Sequence, residues 1–345
     1  MGIKAVKLFF KGITVIMAIV GLIIAAVISR AFETSPEESV WLQFAVIGSP
    51  LVILYNFAFL IYWLLRKRVW LLIPLTALII NHKFITSAVG LGFLFPQTEI
   101  ANYKKLTIGS FNVNYFSYMQ EINVSGIAAL VSRNNADIMS LQEFKPSIYY
   151  NLEELKGEFD FLPYSTINIG EGSTGMAILS KYPVIRSDNI NFKGTNNGIL
   201  WADIQFYNDT VRVINIHLQT TGYYSSYGFG KMYMLQKMKE NYLLRAQQSY
   251  KVRHLIDTTL HPVIVCGDFN DVPHSYVYST IMGNDLNDSF KQSEFKLGGT
   301  YFFTMGLLRI DHILHSNHFK TLKFKNARTR LSDHRPIFSV LEYQN

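Results

Sequence analysis

The hydrophobic and polar positions divide the chain into two parts. Near the amino terminus, residues 12–29 and residues 40–65 form long apolar runs without a charged side chain. From about residue 104 onward, short apolar runs alternate with amphipathic stretches. The first pattern is typical of membrane-spanning helices, because about 20 apolar residues cross the hydrocarbon of a bilayer. The second pattern is typical of a layered domain of strands and helices.

A third apolar stretch, residues 69–95, is interrupted by Asn81-His82-Lys83. A charged side chain in the middle of a span costs about 2.5–3.5 kcal/mol on insertion scales, which the apolar flanks can offset. We therefore predict a membrane anchor over residues 1–103, with a re-entrant hairpin as the alternative for its last segment. The three transmembrane helices are predicted at about residues 10–29, 40–65 and 69–90.

Charged residues at the ends of these runs predict the orientation of the anchor. Basic residues flank one end of the spans, and acidic residues occupy the connection at the other end. Because cytoplasmic segments are enriched in Lys and Arg, we expect the basic end to be cytoplasmic and the carboxy-terminal part to lie outside the cytoplasm. The basic residues are Lys4, Lys7, Lys11 and Arg66-Lys67-Arg68, and the acidic residues are Glu33, Glu37 and Glu38.

The rest of the chain, residues 104–345, is predicted to be one layered domain of the α/β or α+β class. Its apolar runs have the length of buried strands, and its amphipathic stretches have helical spacing. Strands are predicted at residues 106–111, 137–141, 176–179, 201–206, 211–216, 262–266 and 310–314, and helices at residues 122–133 and 239–260.

Composition sharpens this division. Residues 1–103 hold only 8 of the 32 Lys and Arg residues and 4 of the 25 Asp and Glu residues. The net charge of +7 is therefore shared by both parts, and no basic stripe of the kind that grips duplex DNA stands out. The single cysteine, Cys266, excludes an intrachain disulfide and lies in an apolar run, so we expect it in the core.

Six predicted strands end in, or run directly into, a carboxylate, an amide or an imidazole. Polar residues commonly mark the end of a strand, but six such endings indicate one shared site. Hard oxygen ligands with nearby imidazoles suit a Mg²⁺ or Mn²⁺ site that cleaves phosphate esters. The segments are Ser110-Phe111-Asn112, Leu141-Gln142-Glu143, Asn215-Ile216-His217, Gly267-Asp268-Phe269-Asn270, Arg309-Ile310-Asp311-His312 and Ser332-Asp333-His334.

In this order the segments resemble the endonuclease/exonuclease/phosphatase superfamily, which includes deoxyribonuclease I, abasic-site endonucleases, neutral sphingomyelinases and inositol-polyphosphate 5-phosphatases. The resemblance covers about residues 106–342, and its most specific parts are the Gly-Asp-x-Asn and Ser-Asp-His elements. It implies a four-layer sandwich of two face-to-face β-sheets flanked by helices, here preceded by a helical transmembrane region. The front end is similar to membrane-anchored bacterial members, which implies an inner-membrane protein with a periplasmic catalytic domain.

The resemblance, together with phosphate chemistry, assigns ligands for a Mg²⁺ or Mn²⁺ cofactor and for the phosphate. A phosphodiester repels its nucleophile, so a cation must neutralise a phosphate oxygen. Glu143 is the expected anchoring carboxylate, Asn112 is a neutral ligand for the metal or the phosphate, and Asp333 is a further metal ligand. Asn270 and His217 are expected to contact phosphate oxygens.

Five residues are expected to act in catalysis. Asp268 can orient and deprotonate the attacking water, and Asn270 lies on the same side of an extended segment, where it can hold that water. His334 can donate hydrogen bonds to the phosphoryl group or the leaving group, with Asp311 setting its tautomer and raising its pKa. His217 is expected to clamp the transferred phosphoryl group.

An aromatic segment of low charge, residues 223–233, follows the third polar strand end. One interpretation is a substrate rim that enters a lipid interface or stacks on a base. The other is a loop packed on its own protein. The candidate rim residues are Tyr223, Tyr224, Tyr227 and Phe229.

Together these features predict a membrane-tethered, divalent-metal-dependent phosphoesterase that hydrolyses a phosphodiester by metal-assisted attack of water. A phospholipid or sphingolipid headgroup is the favoured substrate over nucleic acid, and the bilayer is the expected partner, with no obligate protein partner. Alternatives are an extracytoplasmic nuclease and a phosphomonoesterase. A different class, a catalytically dead membrane scaffold, would be expected to have lost a residue such as Glu143 or Asp268.

Overall fold

A computed structural model describes residues 2–88, 104–119, 121–171, 173–223, 226, 228–292, 298–304 and 308–344. The predicted end of the membrane anchor at residue 103 and the end of the predicted third span lie outside these ranges. So do Tyr224 and Tyr227, two of the candidate rim residues.

Five helices form the described amino-terminal region: α1 (Ile3–Ser29), α2 (Pro36–Ile47), α3 (Ser49–Leu65), α4 (Leu72–Ile80) and α5 (His82–Ala88). Helices α1, α3 and α4 pack on one another. Buried amides join them, because Asn56 donates to the carbonyl of Gly21 at 3.3 Å and Asn81 donates to the carbonyl of Ala25 at 3.0 Å. Apolar helices thus contact one another through a few polar side chains.

One helix among the described residues, Ile3–Phe32, is long and apolar enough to cross a membrane. Only 22% of its most apolar 18-residue window is buried, whereas the core helix of a soluble protein buries most of its surface. The predicted second span bends by 57° between α2 and α3, where Pro50 lacks the N–H that a continuous helix needs. The predicted third span breaks between α4 and α5. The number of spans therefore stays a prediction.

The described part of the carboxy-terminal region, from residue 104 onward, contains fourteen strands and four α-helices. The strands are β1 (Lys105–Asn112), β2 (Ser117–Tyr118), β3 (Glu121–Ile122), β4 (Ile138–Gln142), β5 (Tyr164–Asn168), β6 (Met176–Ser180), β7 (Val184–Asn191), β8 (Gly198–Phe206), β9 (Asp209–His217), β10 (Val263–Asp268), β11 (Leu286–Asp288), β12 (Asp311–Ser316), β13 (Phe319–Asn326) and β14 (Ile337–Tyr343). The helices are α6 (Val124–Arg133), α7 (Leu152–Glu158), α8 (Lys231–Asp257) and α9 (Tyr276–Met282).

Two six-stranded sheets form the centre of this domain. Their strand orders are β13-β14-β1-β4-β6-β5 and β11-β12-β10-β9-β8-β7. The main core lies between the sheets and includes Leu106 and Ile108 of the first sheet and Ile264 and Cys266 of the second. Helices α6 and α7 cover the outer face of the first sheet, and α8 and α9 cover the second. The predicted four-layer sandwich and the core position of Cys266 are confirmed.

Strand direction brings the polar strand ends to one edge. Strands β1 and β4 are parallel, and so are β9 and β10, so their carboxyl ends coincide in pairs. In the second sheet, Asp268 pairs with His217 on one side and with Asp311 on the other. Strand β14 runs antiparallel to β1, so the segment that precedes β14 returns to the same edge.

Candidate active site

The polar edge forms a cavity of about 370 Å³. Seven of the eight predicted catalytic, phosphate and metal residues line it, and the eighth, Asp311, lies behind His334. Residues that the sequence did not single out complete the wall. The predicted lining residues are Asn112, Glu143, His217, Asp268, Asn270, Asp333 and His334, and the additional ones are Thr174, Thr195, Asn196, Asn197, Gln219, Thr220 and Tyr301.

A buried amide bridges two carboxylates at the floor of the cavity. The Asn112 side chain donates to Glu143 Oε1 and to Asp268 Oδ2, both at 3.1 Å. Burial raises the pKa of Glu143. Burial also raises the pKa of Asp268, to about 6, although the nearby His334 cation opposes this shift. Both carboxylates are therefore more basic than carboxylates in water.

The opposite wall contains a charged histidine–aspartate pair. His334 Nδ1 lies 3.0 Å from Asp311 Oδ2, and His334 Nε2 lies 3.7 Å from Asp268 Oδ2. Burial by itself lowers the pKa of His334, but the Asp311 and Asp268 charges outweigh burial and raise it to about 10. The imidazole is therefore a cation at neutral pH.

His217 differs from His334 because no carboxylate bonds to its Nδ1. Thr174 Oγ1 lies 3.1 Å from that nitrogen, while Nε2 lies 3.8 Å from Glu143 and 3.7 Å from Asp268. Burial lowers the pKa of His217, against the opposing charge of Asp268. The two imidazoles of the cavity thus favour different protonation states. Thr174, in a loop without a recognisable pattern, was not predicted.

The backbone conformation of the Gly-Asp-x-Asn element explains why glycine occupies its first position. Gly267 has φ +141°, and a Cβ at this position would lie 2.0 Å from the carbonyl oxygen of Ile216, so only glycine fits. Asn270 has φ 52°, which is uncommon for a non-glycine residue. Its backbone N–H donates to Asp268 Oδ1 at 2.8 Å, and its side chain donates to the carbonyl of Leu218 at 2.9 Å. The turn therefore holds both polar side chains at the cavity.

Two buried amides beneath the cavity join the sheets. Gln142 donates to the side-chain oxygen of Asn215 at 2.7 Å, and Asn215 donates to two main-chain carbonyls of the first sheet. Gln142 directly precedes Glu143, and Asn215 lies two residues before His217. Both Glu143 and His217 line the cavity. This bond therefore fixes the separation of the two sheet edges that form the site.

Two groups of residues could hold a cation. In one, Asp268, Asp311 and His334 each offer an atom within 4.8 Å of the others. However, Asp311 is already bonded to the His334 ring, so this buried cluster is better explained as an ion-paired histidine beside a carboxylate. Glu143 adds carboxylate oxygens beside Asp268, and Mg²⁺ and Mn²⁺ prefer such donors. Asn112 turns its Nδ2 toward both carboxylates, while its Oδ1 accepts from the N–H of Asn114 at 3.0 Å. The donor set around Glu143 thus fits a divalent cation.

The rim on one side of the cavity contacts the amino-terminal region. Leu42 and Val46 of α2 pack in one apolar cluster with Val272, Ile310 and Tyr301. The Tyr301 ring lies 5.0 Å from the ring of His334 and also lines the cavity. One apolar cluster thus includes residues of α2 and Tyr301, whose ring packs beside the His334 imidazole.

The candidate rim residues lie at a different place. Neither Tyr223 nor Phe229 belongs to the described lining of the cavity. Phe229 is 70% exposed and packs on Tyr233 at 5.3 Å between ring centres, and Met232 next to it is 80% exposed. The start of α8 thus presents an exposed apolar surface, which we call the α8 tip (residues 228–235).

Residues 109–334 match the model of the endonuclease/exonuclease/phosphatase family. Residues 7–88 match a family described as a domain of unknown function, DUF8431. A search of curated proteins found no match.

Several solved structures share the fold. An endonuclease/exonuclease/phosphatase from Beutenbergia cavernae is 17% identical with a TM-score of 0.54, over 70% of this chain and 72% of that one. A family protein from Bacteroides thetaiotaomicron is 18% identical with a TM-score of 0.52, over 71% of this chain and 100% of that one. The human Nocturnin catalytic domain with bound sulfate is 15% identical with a TM-score of 0.52, over 70% and 94%. At these identities the likeness concerns the fold alone.

Proposed function

The chain belongs to the endonuclease/exonuclease/phosphatase family and is a phosphoric ester hydrolase, and we propose that it is a membrane-tethered, divalent-metal-dependent phosphodiesterase acting on a lipid headgroup. The expected substrate is a phospholipid or sphingolipid, and the expected cofactor is Mg²⁺ or Mn²⁺. The polar cavity supports the diester chemistry, and the contact of α2 with its rim supports the lipid.

The side chains of the cavity can divide the reaction between them. Asp268, with a pKa raised to about 6, is ionised at neutral pH and basic enough to accept the proton of the attacking water. Asn270 orients that water, and the His334 cation donates a hydrogen bond from Nε2 to the phosphoryl group or the leaving oxygen. Glu143, with Asn112 beside it, would hold a divalent cation, which would supply the charge that neutralises the phosphate.

His217 and Asp333 complete the proposed assignment. His217 lines the cavity between the two carboxylates and contacts the transferred phosphoryl group. Asp333 lines the cavity next to His334, and its charge contributes to the raised pKa of Glu143, so the two carboxylates are close enough to interact. A cation between them would relieve this repulsion, which supports Asp333 as a further ligand.

The contact between α2 and the rim is the observation that supports a lipid substrate. Leu42 and Val46 belong to the same apolar cluster as Tyr301, and the Tyr301 ring lies 5.0 Å from the ring of His334. A bilayer that holds α1 and α3 therefore lies close to the opening of the cavity. A headgroup could then enter the cavity while its acyl chains stay in the membrane. This avoids the cost of about 0.8 kcal/mol for each apolar CH₂ that is transferred into water.

The helix arrangement supports an extracytoplasmic catalytic domain in a bacterial inner membrane. Lys11 lies 5.8 Å from the ring of Trp70. The basic start of α1 and the basic residues 66–68 therefore share one end of the bundle. Phe32 at the other end accepts a hydrogen bond from Ser279 of the catalytic domain at 2.7 Å. If the basic end is cytoplasmic, the cavity lies on the opposite side of the membrane.

The substrate class is tested by turnover of three substrates with the purified full-length protein. Vesicles of mixed phospholipids and sphingomyelin, plasmid DNA and phosphomonoesters are each incubated with Mg²⁺, and Asp268→Ala is the control. We expect release of the phosphorylated headgroup that disappears in the variant. Asp268-dependent nicking of plasmid without headgroup release would show a nuclease, and release of inorganic phosphate from monoesters alone would show a phosphatase.

A further inference from the structure

The chain segment directly after Asn270, which we call the 271–274 loop, is buried along its whole length. It connects the catalytic turn to α9. Its first residue, Asp271, accepts a hydrogen bond from Arg245 Nε at 3.0 Å, and Arg245 also donates to the carbonyl of Gln219 at 2.7 Å. Gln219 lines the cavity. A shift of this loop would therefore move the cavity wall on two sides.

His312 holds the beginning of the 271–274 loop. Arg309 Nη1 lies 2.9 Å from His312 Nδ1, and since a guanidinium can only donate, Nδ1 is the acceptor. The ring proton is therefore on Nε2, which donates to the carbonyl of Asp271 at 3.0 Å. His312 thus transmits the position of Arg309 to the main chain that carries Asn270.

Arg309 connects this histidine to the amino-terminal region. Its guanidinium is buried and forms an ion pair with Asp288 at 2.7 Å. The same Nη2 donates to the main-chain carbonyl of Ser87, in α5, at 3.1 Å. Five donors in a fixed plane allow one guanidinium to hold three partners at defined angles. The position of α5 therefore affects Arg309, and through it His312.

Ser87 also holds the end of the 271–274 loop directly. Its hydroxyl oxygen lies 2.9 Å from the carbonyl oxygen of Pro273 and 2.5 Å from His274 Nε2, and its single proton can be donated to only one of these loop atoms. The His274 ring packs on Phe84 of α5 at 4.3 Å between ring centres. One residue of α5 therefore contacts the loop at its far end and, through Arg309 and His312, at its near end.

We propose that the docking of Ser87 sets the geometry of Asp268 and Asn270 by two routes, directly through its hydroxyl and indirectly through Arg309 and His312 as positioning residues. The amino-terminal region is then an activating part of the hydrolase as well as its tether. This inference rests on the proposed hydrolysis of a phosphodiester, but not on the lipid headgroup. Its test therefore uses a soluble diester.

The test measures kcat and KM of the full-length protein in detergent micelles, with bis-p-nitrophenyl phosphate and Mg²⁺. Ser87→Ala removes the hydroxyl bonds to the loop, and His312→Phe keeps the ring packing but removes the relay. We expect each to lower kcat by about 10- to 100-fold with KM changed less than about twofold, since small displacements of catalytic groups cost rates of this order. The double variant should be non-additive, because both changes act on one loop.

Two further variants separate positioning from general packing. His312→Gln retains a side-chain N–H that can reach the Asp271 carbonyl, so it should recover most of the kcat that His312→Phe loses. Ser279→Ala is the matched control, because Ser279 also joins the two regions through its hydroxyl, to the carbonyl of Phe32, but does not contact the 271–274 loop. Its kcat should stay within about twofold of the wild-type value.

Amide hydrogen exchange of residues 268–274 provides a readout that needs no substrate. Ser87→Ala should exchange faster than the wild type in this segment, and Ser279→Ala should not. Unchanged kcat and exchange in Ser87→Ala, or strictly additive effects of Ser87→Ala and His312→Phe, would overturn the proposal. Hydrolysis of the soluble diester without headgroup release from vesicles would instead refute the lipid substrate alone.

Discussion

His334 Nδ1 lies 3.0 Å from the Oδ2 of Asp311, and both side chains are almost completely buried. The pair leaves Nε2 of the imidazole as the donor on the side of Asp268, 3.7 Å away. The cavity therefore contains a permanent cation between carboxylates. A negatively charged phosphate ester can be attracted to this cation, although the neighbouring carboxylates would otherwise repel it.

Replacing Asp311 by Asn should change the pH dependence of kcat, because it removes the carboxylate that is paired with His334. The amide cannot provide the charge that raises the pKa of His334 to about 10, so the pKa should fall toward the ordinary value of about 6.5. Because the reaction uses the protonated imidazole, the alkaline limb of the kcat profile should move to lower pH. At pH 8 an imidazole with a pKa of about 6.5 is protonated in only about one molecule in 30, so we expect a loss of about 30-fold.

The measurement is kcat on a soluble diester between pH 5 and pH 10. Asp257→Asn is the control, because Asp257 forms a partly exposed ion pair on α8 away from the cavity. An alkaline limb at the same pH in Asp311→Asn and in the wild type would contradict the assigned role of Asp311.

Two buried histidines should make the fold sensitive to acid. Burial lowers the pKa of both His274 and His312 to about 3, while each has a pKa of about 6.5 in the unfolded chain. Between pH 6.5 and pH 3 the unfolded state binds more protons than the folded state, so stability falls as the pH falls. Each histidine should contribute about 1.4 kcal/mol per pH unit in this window and nothing above it.

Denaturant unfolding at pH 5 and pH 6 measures this dependence. In His312→Gln the loss of unfolding free energy per pH unit should be smaller than in the wild type by about 1.4 kcal/mol, which corresponds to one proton. The same slope in both proteins would mean that His312 is not buried in its neutral form.

The exposed side chains of the α8 tip should contribute more to the turnover of lipid in vesicles than to the turnover of soluble diesters. Phe229 and Met232, three positions apart, are 70% and 80% exposed, and large apolar side chains exposed in one short segment can mark a contact with an apolar partner. Replacing both by Ser should lower the ratio of vesicle turnover to soluble-diester turnover by about 10-fold or more. Ile185→Ser on β7, which removes a similarly exposed apolar side chain, is the control. An unchanged ratio would exclude the α8 tip as a bilayer contact.

Gly267 should tolerate no side chain. Alanine would place a Cβ 2.0 Å from the Ile216 carbonyl oxygen at a φ of +141°, so the turn that positions Asp268 must shift. We expect a loss of stability above about 1 kcal/mol together with loss of turnover. Gly157→Ala, at a position with no atom within 4 Å, should leave both properties nearly unchanged. The thermal midpoint and kcat of the two variants give the comparison, and wild-type behaviour of Gly267→Ala would refute the geometry.

Much of the fold and of the cavity follows from local pattern. Predicted buried strands of four to six residues with polar ends indicated both the sheets and the edge at which Asn112, Glu143 and Asp268 meet. The pattern also placed Cys266 in the core, where the structure has it. The start of α8 was missed: helical spacing indicated residues 239–260, but the helix begins at Lys231, because its first turns are exposed and lack an apolar face.

Contacts between distant parts of the chain could not be predicted. Thr174 orients His217 from a loop, and nothing in the sequence near either residue indicates that contact. Ser87 and Arg309 are separated by 222 positions, and a main-chain carbonyl, which every residue has, provides the acceptor. A residue pattern records which face of an element is buried, but it does not record which other element covers that face.

The central claim, a metal-dependent diester hydrolase at the edge where Asp268 lies, is tested most directly by headgroup release from vesicles. The full-length protein and Asp268→Ala are compared with Mg²⁺ and again after chelation with EDTA. We predict release by the wild type with Mg²⁺, and loss of at least about 10²-fold both in the variant and after chelation. Equal release by the wild type and Asp268→Ala, or release that persists in EDTA, would contradict it.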